Sequence, residues 1–313
     1  MKIAIIRRKF TPFGGAENFI LRMSSGMAAL GIKFSIISEA WKENTKNITF
    51  LKATSHGLSR YIRLLSFTHS VKKIISTHNF DLVQSHERLV GVDIYRLGDG
   101  VHAAWIDRVK KISPWYKKIW LNIDPYHQKI IRTEKEMSQD KNLFYVANSE
   151  LVKNEIHNYY KVPKSRVRVI ENGIDVKTFH PISGFKKENA KKKLGLNPKS
   201  PVILFVGSGF QRKGAFELVE AIKLLPKFQA IIVGHDKKIK ALRVLANEKR
   251  ILITGSQDNI KPYLDASDIF CLPSMYDSLP NAALEALCCG LPVVITKDVG
   301  LCSRISEYNA GVI

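Results

Sequence analysis

The stretch Ile269 to Ile295, IFCLPSMYDSLPNAALEALCCGLPVVI, constrains the chain more than any other. An apolar run ends at Pro273, a polar loop follows, Asn281 to Cys289 reads as a helix closed by Gly290, and Pro292 restarts a strand. The order is strand, loop, helix, strand. In such a unit the first helical turn offers unpaired backbone N–H groups and the positive end of the peptide dipoles above the sheet edge, a setting that favours a phosphate. Two carboxylates bracket that helix start: Asp277 in the loop and Glu285 one turn into the helix, with seven residues between them. One can hold the far end of an extended ligand and the other its near end. An ordinary loop Asp and a solvated helix Glu would share that spacing.

The same alternation runs through the whole chain. Lys2 to Ile6 reads as a strand, followed by Arg7-Arg8-Lys9, a turn at Pro12-Phe13-Gly14-Gly15 and a periodic helix over 16–30. Strands are predicted at Lys33 to Ser38, Ile48 to Leu51, Asp81 to Gln84, Val92 to Leu97, Leu143 to Asn148 and Val167 to Ile170, with helices over 59–78 and from the Ser149 cap to Tyr160. Pro181 to Gly184 and the lysine-rich stretch after it mark a boundary. The pattern then restarts: a strand over 201–206, the glycine-rich turn Gly207-Ser208-Gly209-Phe210-Gln211-Arg212-Lys213-Gly214, a helix to Leu224, strands at Gln229 to Val233 and Arg250 to Thr254, the opening stretch, a helix over 300–308 and the start of a strand at Ala310. Strands alternating with helices predict an α/β protein with parallel sheets covered on both faces. At 313 residues there is chain for two domains, 1–179 and 180–313, each with its own core.

A net charge of +21 attracts anions in general: nucleotide phosphates, nucleic acid or an acidic membrane surface. No reading helix, zinc site or RNP motif accompanies it, so nucleic acid is not the expected partner. No dinucleotide fingerprint or Walker A sequence occurs. Cys271, Cys288, Cys289 and Cys302 lack C-x-x-C spacing and read as buried free thiols in a reducing compartment. The run MKIAII is too short for a signal peptide, and no stretch approaches the ~20 apolar residues of a membrane-spanning helix. The expected location is the cytoplasm, with peripheral contact on the cytoplasmic face of the inner membrane. That contact is assigned to residues 105–137, where Trp105, Trp115, Tyr116, Trp120 and Tyr126 alternate with Lys110, Lys111, Lys117, Lys118, Lys129 and Arg132. A helix pair with a solvated basic face would have the same composition.

Two further clusters carry chemistry. Arg212 and Lys213 supply a forked and a point positive charge beside glycines that let a phosphate approach the backbone, Gly207 first among them. The segment LGDGVHAA follows a strand and holds Asp99 between glycines, with His102 as a weaker candidate. Groups just past the strand ends of an open α/β sheet line its ligand crevice. A turn Asp stabilising its own loop is the alternative for Asp99.

These segments, in this order, resemble retaining glycosyltransferases of family 4. The match rests on Gly14-Gly15-Ala16-Glu17, the Asp99 loop, Asn172-Gly173-Ile174-Asp175 with Phe179 and Pro181, the Gly-x4-Arg-Lys-Gly element at Gly207 to Gly214, and the acid-x7-acid pair Asp277 and Glu285. The first acid is usually Glu in that family; here it is Asp277. The resemblance implies the GT-B architecture, two Rossmann-like doubly wound domains facing across a cleft, the first on the acceptor side and the second binding the nucleotide sugar. It also implies roles. Gly14 and Gly15 lie between donor and acceptor. Gly207, Arg212, Lys213 and the N–H groups of Asn281, Ala282 and Ala283 hold the diphosphate. Gln257 lies in the loop against the nucleobase, Glu285 takes the ribose hydroxyls, Asp277 takes the sugar hydroxyls, and Asp99 orients or stabilises charge at the reacting sugar.

The implied activity is transfer of a hexose, glucose, from a nucleotide sugar, UDP-glucose, to a glycan or lipid-linked glycan acceptor of lipopolysaccharide or another envelope polymer. The closest likeness within the family is to lipopolysaccharide core α-glucosyltransferases. No Asp-x-Asp occurs, in keeping with protein cations in place of a metal and with no cofactor besides the sugar-nucleotide co-substrate. Family members continue for several elements past the equivalent of Ile313, so a shortened second domain is expected. A catalytically impaired glycosyltransferase-like protein and a basic nucleic-acid-binding protein are the competing readings.

Overall fold

The computed structural model describes residues 1–9, 20, 23, 26, 31–41 and 48–313. The Gly14-Gly15 turn and nearly all of the helix predicted over 16–30 lie outside the described residues. The chain divides into two units, Met1–Glu171 and Asn172–Ile313. The first unit thus closes before the expected boundary at 179. The reason is side-chain allegiance: Phe179 packs on the core of the second unit, and Asn172 Nδ2 donates to Asn281 Oδ1 at 2.6 Å.

In the first unit, strands β1 (Lys2–Ile6), β2 (Lys33–Ser38) and β3 (Ile48–Lys52) precede helix α1 (Arg60–Thr77). Ser59 caps α1 by accepting from the Ile62 N–H. Strands β4 (Leu82–Ser85) and β5 (Ile94–Leu97) are followed by three consecutive helices, α2 (His102–Ile112), α3 (Trp115–Ile123) and α4 (Pro125–Gln139). Pro114 and Pro125 set the breaks, since neither can donate a backbone hydrogen bond to continue the preceding helix. Strand β6 (Phe144–Ala147), helix α5 (Glu150–Tyr160) and strand β7 (Val167–Val169) complete the unit.

All pairings in this sheet are parallel, in the order β3-β2-β1-β4-β5-β6-β7. Alternation along β1 decides its two faces: Ile3 and Ile5 join Ile20, Phe34 and Ile36 on one side, while Ala4 and Ile6 join Phe67, Val83 and Tyr95 on the other.

The second unit opens with helix α6 (Gly184–Lys193), a correction to the reading of that lysine-rich stretch as a boundary segment. It folds because Lys191 is buried on the core side, its Nζ donating to Asp268 Oδ2 at 2.7 Å and to Ser200 O at 2.9 Å. Then come β8 (Val202–Val206), α7 (Phe210–Lys213), α8 (Ala215–Lys223), β9 (Gln229–Val233), α9 (Ile239–Leu245), β10 (Ile251–Gly255), α10 (Lys261–Asp265), β11 (Ile269–Leu272), α11 (Asn281–Cys288), β12 (Val293–Ile295), α12 (Cys302–Tyr308) and β13 (Gly311–Val312). This sheet is also parallel, ordered β10-β9-β8-β11-β12-β13.

Both sheets follow the doubly wound 3-2-1-4-5-6 order, with β7 added as a seventh strand in the first, and the order reverses direction beside the first strand of each. The crevice at that reversal lies past the carboxyl ends of β1 and β4 in the first unit and of β8 and β11 in the second. Of the four free cysteines only Cys289 is buried; the other three are half-buried, not fully enclosed as expected. Burial pushes the Cys271 thiol up to about 11.

Candidate active site

The residues past β8 and β11 converge. Gly209 and Gly214 hold backbone angles of φ 78° and 81°, which place α7 as a single turn between two left-handed glycines. A Cβ on Gly214 would lie 2.2 Å from Pro273 O, and one on Gly207 would lie 2.5 Å from Lys213 Cδ. These glycines therefore let the turn press against the loop after β11 and let the Lys213 stem fold over the backbone. The Arg212 carbonyl accepts from Met275 N at 2.9 Å and from Ser274 Oγ at 3.3 Å, and Arg212 Nη1 donates to Tyr276 O at 2.8 Å.

The result brings Lys213 Nζ to 3.1 Å and Arg212 Nη1 to 3.9 Å from Asp277 Oδ2. Lys213 and Asp277 are largely covered, whereas Arg212 is 38% exposed and so is the open cation of the group. Two positive charges around one carboxylate leave an excess of +1 at the sheet edge, suited to a further anion. The loop itself is pinned, with Asp277 N donating to Asp298 O and Gly300 N donating to Asp277 O.

Helix α11 starts directly after this loop, with Pro280 at its cap position and no side chain capping it. Of the three amides expected to face a phosphate, the Ala283 N–H instead donates to Pro280 O at 3.1 Å, because the first turn is tight. Asn281 is half-buried and receives Asn172, a contact that ties the helix start to the 172–175 turn. Glu285 is half-buried one turn further on, and its charge helps raise the Cys288 thiol after burial does. Gln257 lies past β10 and donates back to Thr254 O at the end of that strand at 3.3 Å.

Sequence reasoning missed Asp236. It lies past β9, accepts from Phe210 N at 3.2 Å and from Lys238 N at 2.8 Å, and so fixes the glycine-rich turn from the other side. The Gly-His-Asp run after a strand was its signal.

In the first unit, Asp99 and Arg7 meet at the corresponding place, Arg7 Nη1 lying 3.2 Å from Asp99 Oδ2 and 3.5 Å from Glu87 Oε1. Loss of hydration pushes the Asp99 carboxyl up, but Arg7 and Arg88 outweigh it and hold the group below the usual carboxylate range, charged. Glu87 lies past β4 and accepts from Arg8 N at 3.0 Å; burial raises it above the ordinary value against the pull of Arg7. His86 is buried beside Arg96 and Arg7 and is pushed down to about 3, first by burial, so it is neutral and pairs with Gln84 at 2.9 Å.

Arg7, His86 and Glu87 were not singled out from sequence, although each lies within three residues of the end of a predicted strand, at the point where the strand order reverses. His102 does not join this group. It opens α2 and turns its Nε2 to His127 Nδ1 at 3.0 Å, stacked on the His127 ring with Trp105 tilted beside it. Among the described residues no group of three or more His, Cys, Asp or Glu could hold a metal ion.

Comparison with known proteins agrees with this arrangement. Residues 13–178 match Glycosyltransferase Family 4, and residues 186–313 match Glycosyl transferases group 1. The lipopolysaccharide glucosyltransferase WaaG of Escherichia coli (strain K12) is 23% identical over 328 residues, covering 100% of this chain and 85% of that relative. The crystal structure of WaaG, a glycosyltransferase involved in lipopolysaccharide biosynthesis, superposes with a TM-score of 0.86 at 22% identity, covering 99% of this chain and 85% of the other. Anabaena Alr3699/HepE in complex with UDP and glucose gives a TM-score of 0.75 at 19% identity, covering 100% and 85%. These likenesses establish a shared GT-B fold of two parallel-sheet domains. On the match over more than half of its length, the chain belongs to glycosyltransferase family 4.

Proposed function

We propose that the chain moves a hexose, glucose, from a nucleotide sugar, UDP-glucose, to a saccharide acceptor of lipopolysaccharide or a related envelope glycan, with retention of anomeric configuration and without a divalent metal. The observation that carries this reading is the Arg212, Lys213 and Asp277 group over the glycine turn at the strand-order reversal of the second sheet. Breaking the bond from sugar to diphosphate leaves charge on the departing phosphate oxygens. The exposed Arg212 guanidinium and the Lys213 ammonium are placed to stabilise it, which is the role a metal ion plays elsewhere. Held by Lys213, Asp277 keeps acceptor capacity for sugar hydroxyls. Glu285, half-buried on the same helix start, takes the ribose hydroxyls. Asp99, charged and fixed by Arg7, orients the reacting sugar. Glucose as the transferred group and UDP as its carrier are supported by the E. coli relative, a lipopolysaccharide glucosyltransferase, and by the UDP and glucose held by the Anabaena protein.

Membrane contact through 105–137 is part of the same reading. Helix α3 leaves Trp115, Tyr116, Ile119, Trp120 and Ile123 exposed beside Lys117 and Lys118, an apolar and basic face suited to anionic headgroups. Among the described residues no helix is long and apolar enough to cross a membrane.

The test is turnover of a panel of nucleotide sugars by the purified chain. UDP-glucose is expected to be consumed fastest, and equally fast in excess chelator. No turnover of any nucleotide sugar would refute the enzymatic reading, and loss in chelator would refute the metal-independent one.

A further inference from the structure

The Asp99 loop, residues 98–101, is held by groups that come from three other elements. Asn148 Nδ2 donates to Gly98 O at 3.1 Å. Arg88 Nη2 donates to Gly100 O at 2.9 Å, at the residue where the backbone turns through φ 72°. Immediately after the loop, α2 begins at His102 with Val101 in the cap position, a residue whose side chain can accept nothing. The missing cap is supplied by Glu134, which lies two turns into α4 and has a side chain only 1% exposed. Its Oε1 accepts from His102 N at 2.8 Å and from Arg88 Nε at 2.7 Å, and its Oε2 accepts from Tyr160 Oη–H at 2.8 Å and from Ala103 N at 3.4 Å.

A carboxylate enclosed this fully is costly unless every lone pair is used, and here four donors use them. Two of those donors are the first amides after the loop, and a third is the guanidinium that grips the loop at Gly100. Both the exit of the loop and its turning point therefore depend on one buried charge. Asp99 itself is 55% exposed and its side chain meets Arg7, so its height above the sheet follows the backbone that Glu134 and Arg88 fix.

We propose that Glu134 is a positioning residue for transfer: working through Arg88 and the first turn of α2, it sets the backbone that carries Asp99 and touches no substrate itself. The proposal rests on the role given to Asp99 above.

A mutant cycle tests it. Asp99→Asn, Glu134→Gln and the double variant are compared for kcat, acceptor KM and UDP binding with the full chain. Glu134→Gln keeps the size and an acceptor for the amides but loses the charge that holds Arg88. It is expected to lower kcat about a hundredfold, the scale of a misplacement near 1 Å, with UDP affinity unchanged. The double variant is expected to be no slower than Asp99→Asn alone, and Tyr160→Phe, which removes one donor without freeing the loop, to stay near full activity.

Losses that multiply in the double variant would mean that Glu134 acts independently of Asp99 and would overturn the proposal, as would full activity in Glu134→Gln. Full activity in Asp99→Asn would sink the Asp99 role and the positioning role with it, while leaving UDP-glucose turnover by the unaltered chain intact. If Glu134→Gln does not fold, Arg88→Lys carries the same cycle: it keeps the positive charge opposite Glu134 but loses the fork that reaches Gly100 O.

Discussion

Two side chains of the second unit, Arg212 and Asp268, each predict a different consequence. Arg212 is the open cation beside Asp277. Its replacement by Ala should lower kcat by about 10²- to 10³-fold, the range for removing one preorganised donor to a developing anion, while changing the donor KM far less. Steady-state kinetics with UDP-glucose measure this, and a pure KM effect would mean that Arg212 binds the ground state only. Asp268 gives a pH-dependent prediction of stability. Burial pushes its carboxyl up, but the Lys191 hydrogen bond, the Val202 N–H and the Lys191 and Lys187 charges pull harder, so its folded value lies below the ordinary one. The stabilisation is therefore present above the unfolded value of about 3.9 and lost as pH falls through the folded one. Asp268→Asn should destabilise by about 2 kcal/mol at neutral pH, since it leaves Lys191 buried without its partner. The difference from wild type should shrink as denaturation is followed below about pH 4; a constant difference would remove the ion pair as its cause.

The glycine turn and helix α3 carry the predictions that belong to whole elements. Gly214 combines φ 81° with a site where a Cβ would strike Pro273 O. Gly214→Ala should cost at least about 2 kcal/mol of stability in thermal denaturation, from the left-handed backbone and the displaced loop together. UDP affinity should fall with it, because Lys213 and the 273–277 loop move apart. For α3, flotation with anionic vesicles should recover the chain and neutral vesicles should not. Trp115→Ser with Trp120→Ser should abolish that recovery without altering turnover of UDP-glucose in solution. No lipid-dependent flotation would refute the membrane contact.

Elements were also where sequence served best. Strand limits such as Lys33 to Ser38 and Gln229 to Val233 follow from short apolar runs between turn residues, and those signals are local. The α6 helix was read as a boundary because five lysines over 186–193 mask the two, Lys187 and Lys191, that find a carboxylate from a distant turn, Asp268. Arg7 and Glu87 escaped for a related reason. Their significance comes from β1 and β4 being neighbours, which sequence order does not state.

For the whole molecule, two sheets with the same strand order assign the work by charge and by loop chemistry. The first unit gathers Arg7, Glu87 and Asp99 past its strand ends, a set that can hold hydroxyls as well as charge. In the second unit, two cations meet one carboxylate over a glycine turn, a set that asks for an anion. The ordered motifs named Asp99, Arg212, Lys213 and Asp277 beforehand, whereas the pairing of Lys213 with Asp277 and the hold of Glu134 on the Asp99 loop required the fold. Titration calorimetry of the folded chain with UDP reads the anion site directly. Saturable one-to-one binding, weakened at least about tenfold in Lys213→Met by loss of a charge-assisted contact, is the predicted result. A correctly folded sample that gives no binding heat with UDP, and no rise in Tm in its presence, would contradict it.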